Sequence, residues 1–170
     1  MSPRIRKIVL VAHVTSSVGW VGAVAGFLAL AIAGLTSEDV QMVRAADIAN
    51  ELTTWFVIVP LSLVSLLTGL IQSLGTAWGL FRHYWVLVKL LLTVLATTVL
   101  LLKVQPISDM AGVAADTTLS GGDLRGLRSS LVAHAGGGLL VLLVAAALGI
   151  YKPHGITQYG QRKQRDRPGS

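Results

Sequence analysis

The chain has 170 residues, of which 53% are hydrophobic and only 13% are charged, and it contains no cysteine. A soluble domain carries roughly twice that charged fraction, so the composition excludes an ordinary soluble enzyme and indicates a membrane protein. The lack of cysteine excludes disulfides, thiolate metal sites, c-type haem attachment and dithiol redox chemistry. The net charge of +6 does not predict nucleic-acid binding, because the basic C-terminal tail lacks interleaved aromatic residues.

Four stretches of the chain are long and apolar enough to cross a bilayer, which takes roughly 20 residues in a helix. They span about residues 8–35, 52–80, 84–102 and 131–151. The sequence therefore predicts an all-α, integral membrane four-helix bundle, formed by one domain over residues 1–155. The first stretch is too long for the apolar part of a signal peptide. The polar segment 156–170 predicts a disordered tail.

The two longer connections differ in their patterns. Thr36 and Asp39 fit the [ST]-x-x-[DE] capping box, and apolar residues follow them at helical spacing. We therefore expect an additional short amphipathic helix outside the membrane before the second span, which Pro60 should kink. The second connection, 105–128, predicts a looser loop with one short helical piece, and its role is open.

Basic residues predict the orientation, because cytoplasmic loops of membrane proteins are enriched in lysine and arginine. One side carries Arg4, Arg6, Lys7, Arg82, Lys152, Arg162, Lys163, Arg165 and Arg167. The other carries Arg44, Lys103, Arg125 and Arg128, with most of the acidic residues. We expect a multi-pass protein of the bacterial cytoplasmic (inner) membrane with both termini in the cytoplasm.

Polar side chains inside the spans share one depth. A helix rises about 1.5 Å per residue, so His13 and Lys89 both lie roughly 8 Å from the cytoplasmic edge, and Gln72 roughly 12 Å. Polar stripes on membrane helices face the bundle interior, which predicts a polar pocket in the inner half. Two alternatives stay open: Lys89 extends back to the headgroups, or His13 is a hydrogen-bonding pin between helices.

The same reasoning gives a set of candidate cofactor-binding residues along the stripes. They are His13, Ser17, Trp20, Gln72, Trp85, Lys89 and Thr93. His13 is the candidate ligand for a haem iron. His134 lies roughly 18 Å from the level of His13, so the two do not bind one iron between straight helices. His134 either belongs to a separate outer site or is an ordinary histidine at the start of a helix.

Glycines allow helices or ligands to approach the backbone closely. Gly22 and Gly26 have the spacing of a helix-association motif, which predicts a face for a homo-oligomer or another membrane protein. Gly136, Gly137 and Gly138 in the fourth span either pack against a neighbouring helix or leave room for a flat macrocycle.

Three segments carry a resemblance to known proteins. "AHVTSSVGWVGAVAGF", "HYWVLVKLLL" and "GIYKPHG" follow one another in the first, third and fourth spans. In order and spacing they resemble the small four-helix bacterial membrane proteins related to the J-type protoporphyrinogen oxidases and the copper-resistance D-type proteins, and most closely uncharacterised members of that group. The resemblance implies a haem b site whose histidine and lysine match His13 and Lys89.

Together these features predict a membrane protein that binds haem b or a porphyrin in the inner-half pocket, with a redox or porphyrin-handling role. One alternative is a non-enzymatic membrane subunit or partner-binding module that associates through Gly22 and Gly26. The other is a copper-handling membrane protein. No span contains an acidic residue, which argues against a proton-coupled transporter. The residues do not decide whether the protein is an enzyme.

Overall fold

The computed structural model describes residues 2–75, 83–115, 124–152, 155 and 157. These residues are almost entirely helical. The helices are α1 (Pro3–Thr36), α2 (Val40–Thr53), α3 (Val59–Gly75), α4 (Tyr84–Ala115) and α5 (Leu124–Tyr151), with a π-helical segment, Thr54–Ile58, joining α2 to α3.

Four helical stretches of the described chain are long and apolar enough to cross a membrane: α1, the continuous run from Val40 to Gly75, α4 and α5. Large apolar side chains on these helices are exposed, among them Phe56 at 76% and Ile150 at 78%. Such a surface is stable against lipid chains and not against water. The predicted all-α bundle of four membrane-spanning helices is confirmed.

The spanning helices form a ring in which α1 packs against α3 and α5, and α4 packs against α3 and α5. The starts of α1 and α4 and the ends of α3 and α5 therefore lie at one end, which we call the proximal end. The opposite end, where α2 lies, is the distal end. The core along this ring contains Trp20, Val24, Phe27, Ile58, Leu131 and Leu142.

Helix α2 begins at a different residue from the one that its sequence pattern indicates. Asp39 is the N-cap, and its carboxylate accepts a hydrogen bond of 2.9 Å from the Gln41 N–H. Thr36 instead closes α1, where its hydroxyl donates to the Ile32 carbonyl at 2.9 Å. The prediction of a capping box that starts at Thr36 is therefore wrong, because α1 continues through Thr36. The predicted helix itself is present.

The π-helical segment lies directly before Pro60. In it the Val59 N–H bonds to the Thr54 carbonyl, one residue further back than in an α-helix. Proline has no N–H to donate and its ring clashes with the preceding turn of an α-helix. The wider turn at 54–58 is the local rearrangement through which this span accommodates its proline.

Helix α4 is longer than the third apolar stretch and continues through Pro106 to Ala115. The prediction of a looser loop from 105 is therefore wrong for residues 105–115. Four side chains of this extension are buried: Ile107, Met110, Ala111 and Ala114. They lie in the part of α4 that packs with α2, so tertiary burial stabilises a helix that a proline would otherwise end.

A buried ion pair fixes α2 to the start of α5. The Arg128 Nη2–H donates to the Asp47 carboxylate at 2.7 Å, and Nε–H donates to the same oxygen at 3.2 Å. The two side chains are only 14% and 4% exposed. Gly34 allows α1 to approach the same place, because a Cβ there would lie 3.3 Å from the Ala46 Cβ.

Several predicted features lie outside the described residues: the end of the second span at 76–80, the loop over 116–123 and most of the tail. Of the tail, Thr157 is described, and it is only 7% exposed. The Gly155 carbonyl accepts a hydrogen bond of 3.3 Å from the Tyr84 N–H. Gly155 therefore contacts the start of α4, and the disorder of the tail stays a prediction.

Candidate functional site

His13 lies in the seam between α1 and α3. Its Nδ1 is 3.1 Å from the Ser65 carbonyl and 3.1 Å from the Thr68 hydroxyl. The Thr68 hydroxyl donates its own hydrogen to the Val64 carbonyl at 2.6 Å. Since both groups facing Nδ1 are acceptors, the imidazole carries its proton on Nδ1 and donates it to α3.

The His13 ring also lies directly against the α3 backbone. A Cβ on Gly69 would be only 3.0 Å from the ring carbon Cε1, so glycine is what allows this approach. Next to it, the hydroxyls of Ser17 and Ser65 are 2.7 Å apart. The seam is a continuous polar contact, which supports the open alternative that His13 pins α1 to α3. Ser65, which completes the contact, was not among the predicted site residues.

Lys89 lies in the opposite seam, between α4 and α5. Its Nζ would be 2.9 Å from a Cβ on Gly149, so the amine rests on the α5 backbone. Lys89 and His13 are close enough to interact electrostatically, which agrees with the expected common depth. They do not meet in one contact, because each side chain packs against a different helix.

The other predicted site residues divide between these regions. Thr93 donates to the Lys89 carbonyl at 2.8 Å, so its hydroxyl is used within α4. Trp85 and Lys89 lie on the same face of α4 and are both half-buried. The Gln72 side chain is half-buried in α3, and its Nε2 is buried without a hydrogen-bond partner among the described residues.

A cavity in the distal half is lined by neither His13 nor Lys89. Its volume is about 460 Å³, which is within the usual range for a bound organic molecule. Trp20 and Phe27 of α1 line one side. The rest of the wall is formed by side chains between residues 95 and 107 of α4, by side chains between residues 131 and 142 of α5, and by Thr54 and Ile58 of the π-helical segment. Of the predicted cofactor residues, Trp20 alone is in this wall.

His134 stands at the mouth of this cavity, where its side chain is exposed. Its Nδ1 lies 2.6 Å from the Ser130 carbonyl, so Nδ1–H donates to the preceding turn of α5. This bond leaves the Nε2 lone pair to accept a proton or bind a metal ion. Orientation of a ligand histidine through its other ring nitrogen is the usual arrangement at metal sites.

Two further features of the cavity wall concern the kind of ligand that the cavity could hold. Gly137 and Gly138 line it, and nothing lies within 4 Å of where their Cβ atoms would be. The half-buried side chain of Lys103 lines it too and provides a cation. Lys103 was not a predicted site residue. Its position directly after the third apolar stretch could have indicated a cation at the distal end of that span.

The wall offers features that a flat, apolar ligand with an anionic substituent would use. Its glycines leave the backbone accessible, the two aromatic side chains supply apolar contact, and Lys103 provides a cation for an anionic group. An imidazole nitrogen, as in His134, is a common metal ligand. No cluster of three or more His, Asp or Glu side chains suited to a metal ion occurs in the described part of the chain.

Comparison with known proteins gives no relative for this chain. No family model matches it, and no curated protein and no solved structure matches it either.

Proposed function

We propose that this chain is a membrane protein that binds haem b or a related porphyrin in the distal cavity, with a redox or porphyrin-handling role. The observation that supports it best is the histidine at the cavity mouth. Its Nδ1–H is committed to the Ser130 carbonyl at 2.6 Å, which leaves Nε2 as the ring nitrogen that can bind iron, and His134 lines the cavity. Haem b supplies one-electron chemistry at its iron when bound.

The protein's own residues have distinct parts in this proposal. His134 holds the iron and its tautomer is set by Ser130. Trp20 and Phe27 pack against the ring and exclude water from it. Lys103 neutralises an anionic substituent at the distal surface, which offsets the cost of holding a cation near the apolar region.

The proposal differs from the sequence-based prediction in the position of the site. His13 donates to Ser65 and its ring packs on Gly69, so an iron ligand at His13 has little free space on the α3 side. The distal cavity, in contrast, has volume, an available imidazole nitrogen and a cation. The resemblance to the oxidase and copper-resistance families supports the haem class, although the residues that it selects, His13 and Lys89, lie outside the distal cavity.

Titration of the detergent-purified protein with haem tests the proposal. We expect a Soret band that grows to saturation, and we expect His134→Ala to abolish it or shift it strongly. His13→Ala is the matched control, since it removes an imidazole outside the cavity, and it should keep the band. If His13→Ala lost the Soret band and His134→Ala kept it, the haem would be assigned to the proximal half. A protein that stays colourless at saturating haem would reject the class.

A second candidate is a membrane subunit that associates with another protein or a second copy through Gly22 and Gly26. Both glycines are exposed, and nothing lies within 4 Å of where their Cβ atoms would be. A small-residue face left open on a spanning helix permits close approach of another helix. Gly22→Leu should lower cross-linking between copies, or co-purification of a partner, if this face is used. No comparable observation on the described residues favours copper handling.

A further inference from the structure

We propose that the proximal seam between α4 and α5 binds the phosphate group of an anionic phospholipid, with the Lys89 ammonium as its cation. This site is separate from the distal cavity and does not depend on haem binding. Along α4, positions 89 and 103 are separated by roughly 21 Å of helix.

The first step is the position of the amine. A Cβ on Gly149 would lie 2.9 Å from Nζ, 3.8 Å from Cε and 3.9 Å from Cδ, so the end of the side chain lies along the α5 backbone. Helix side chains lean towards the helix N-terminus. For Lys89 that direction is towards Tyr84 and the proximal membrane surface. The ammonium is therefore held at the depth where phospholipid headgroups meet the apolar region.

The second step is the charge. The acidic residues in the described part of the chain are Glu38, Asp39, Asp47, Glu51 and Asp109, and all of them lie in the distal half. Within the described residues Lys89 has no ion pair. An ammonium that is half-buried between two spanning helices is stabilised when an anion accompanies it, and none of the described acidic side chains lies in this half. The proposal assigns that anion to a lipid phosphate at the proximal surface.

The third step is the kind of anion. The proximal end carries further basic residues, Arg4, Arg6, Lys7 and Lys152, which favour an anionic membrane surface over a zwitterionic one. Basic pockets between spanning helices bind phosphate headgroups in this way. Gly149 matters because any larger residue would occupy the space of the ammonium.

Lipid retention tests the site. The full chain is reconstituted into vesicles of phosphatidylcholine alone or of an equimolar mixture with phosphatidylglycerol, then extracted gently and analysed by native mass spectrometry. We expect the wild type to retain phosphatidylglycerol preferentially. Lys89→Met should reduce that preference about fivefold, the factor given by roughly 1 kcal/mol per basic residue near an anionic surface. Lys89→Arg should keep most of it.

Lys7→Met is the matched control, because it removes an exposed cation at the same end. If it reduces the preference as much as Lys89→Met does, the preference is a general surface effect and the site is rejected. Gly149→Ala provides a second variant that keeps the charge, and it should weaken retention by displacing the amine. Equal retention of both lipids by wild type and Lys89→Met would also overturn the proposal.

Inorganic phosphate added to the phosphatidylcholine sample distinguishes the source of the anion. One outcome is that phosphate raises the unfolding temperature of the wild type but not that of Lys89→Met, while phosphatidylglycerol raises neither. That result would assign the site to free phosphate and reject the lipid. A rise with phosphatidylglycerol alone would support the lipid.

Discussion

Among single residues, Asp47 and Arg128 form the strongest polar contact that the described chain contains. Asp47 is on the amphipathic helix and Arg128 is in the first turns of α5, and two guanidinium N–H groups reach the carboxylate. The carboxylate side chain is 4% exposed. Removing one partner of a buried pair leaves an uncompensated charge, which costs more than the pair itself contributes.

We therefore expect Arg128→Met to lower the free energy of unfolding by about 3–5 kcal/mol. The measurement is the unfolding midpoint in detergent, followed by the helical circular dichroism signal. Glu38→Gln is the control, since it removes an exposed carboxylate at the same end, and it should have little effect. The double variant with Asp47→Asn should be less destabilised than the sum of the single variants. Simple additivity would contradict a direct ion pair.

Between elements, glycines determine how closely the helices approach. Gly69 lets the His13 ring lie on α3, while Gly19 lets Leu61 approach α1 to 3.1 Å from where a Cβ would be. At these positions an added methyl group has no free space. Gly112, in the distal extension of α4, is exposed, and nothing lies within 4 Å of where its Cβ would be.

Two glycine substitutions should therefore change stability in opposite directions. Gly69→Ala forces the His13 ring away from α3, and we expect it to destabilise the protein by about 1–3 kcal/mol, the usual cost of overpacking. Gly112→Ala should stabilise it by about 0.5–1 kcal/mol through helix propensity alone. Thermal unfolding of both variants in one detergent makes the comparison. Similar behaviour of the two would show that the contact of His13 with α3 is not tight.

For the whole molecule, the charge distribution determines orientation and the helix packing determines where ligands fit. The acidic residues of the described chain lie at the distal end, and the proximal end carries the basic residues that flank α1 and α5. From the positive-inside rule we expect the proximal end to lie in the cytoplasm. In that orientation the distal cavity lies in the outer half of the membrane.

The cysteine-free sequence allows a clean test of this orientation. Ser2→Cys and Glu38→Cys each introduce one thiol at opposite ends of α1. We expect a membrane-impermeant maleimide applied to intact cells to label Glu38→Cys, and to label Ser2→Cys only after the membrane is permeabilised. The reverse pattern would invert the topology and assign the cavity to the cytoplasmic half.

The sequence determined the all-α class and the four spans, because length and apolarity alone decide whether a helix can cross a bilayer. It also predicted a common depth for His13 and Lys89, since depth follows directly from the helical rise. It missed the extension of α4 through Pro106, because the burial of Ile107 and its neighbours against α2 overrides the local preference of proline.

Only the tertiary structure decided which seam each polar side chain occupies. His13 and Lys89 share a level, but the angular arrangement of the helices directs one to Gly69 and the other to Gly149. The distal cavity could not be found along the chain either, since its wall combines residues from α1, α4 and α5 and its volume depends on how closely those helices approach. Depth is a property of one helix, whereas a cavity is a property of the packing between several.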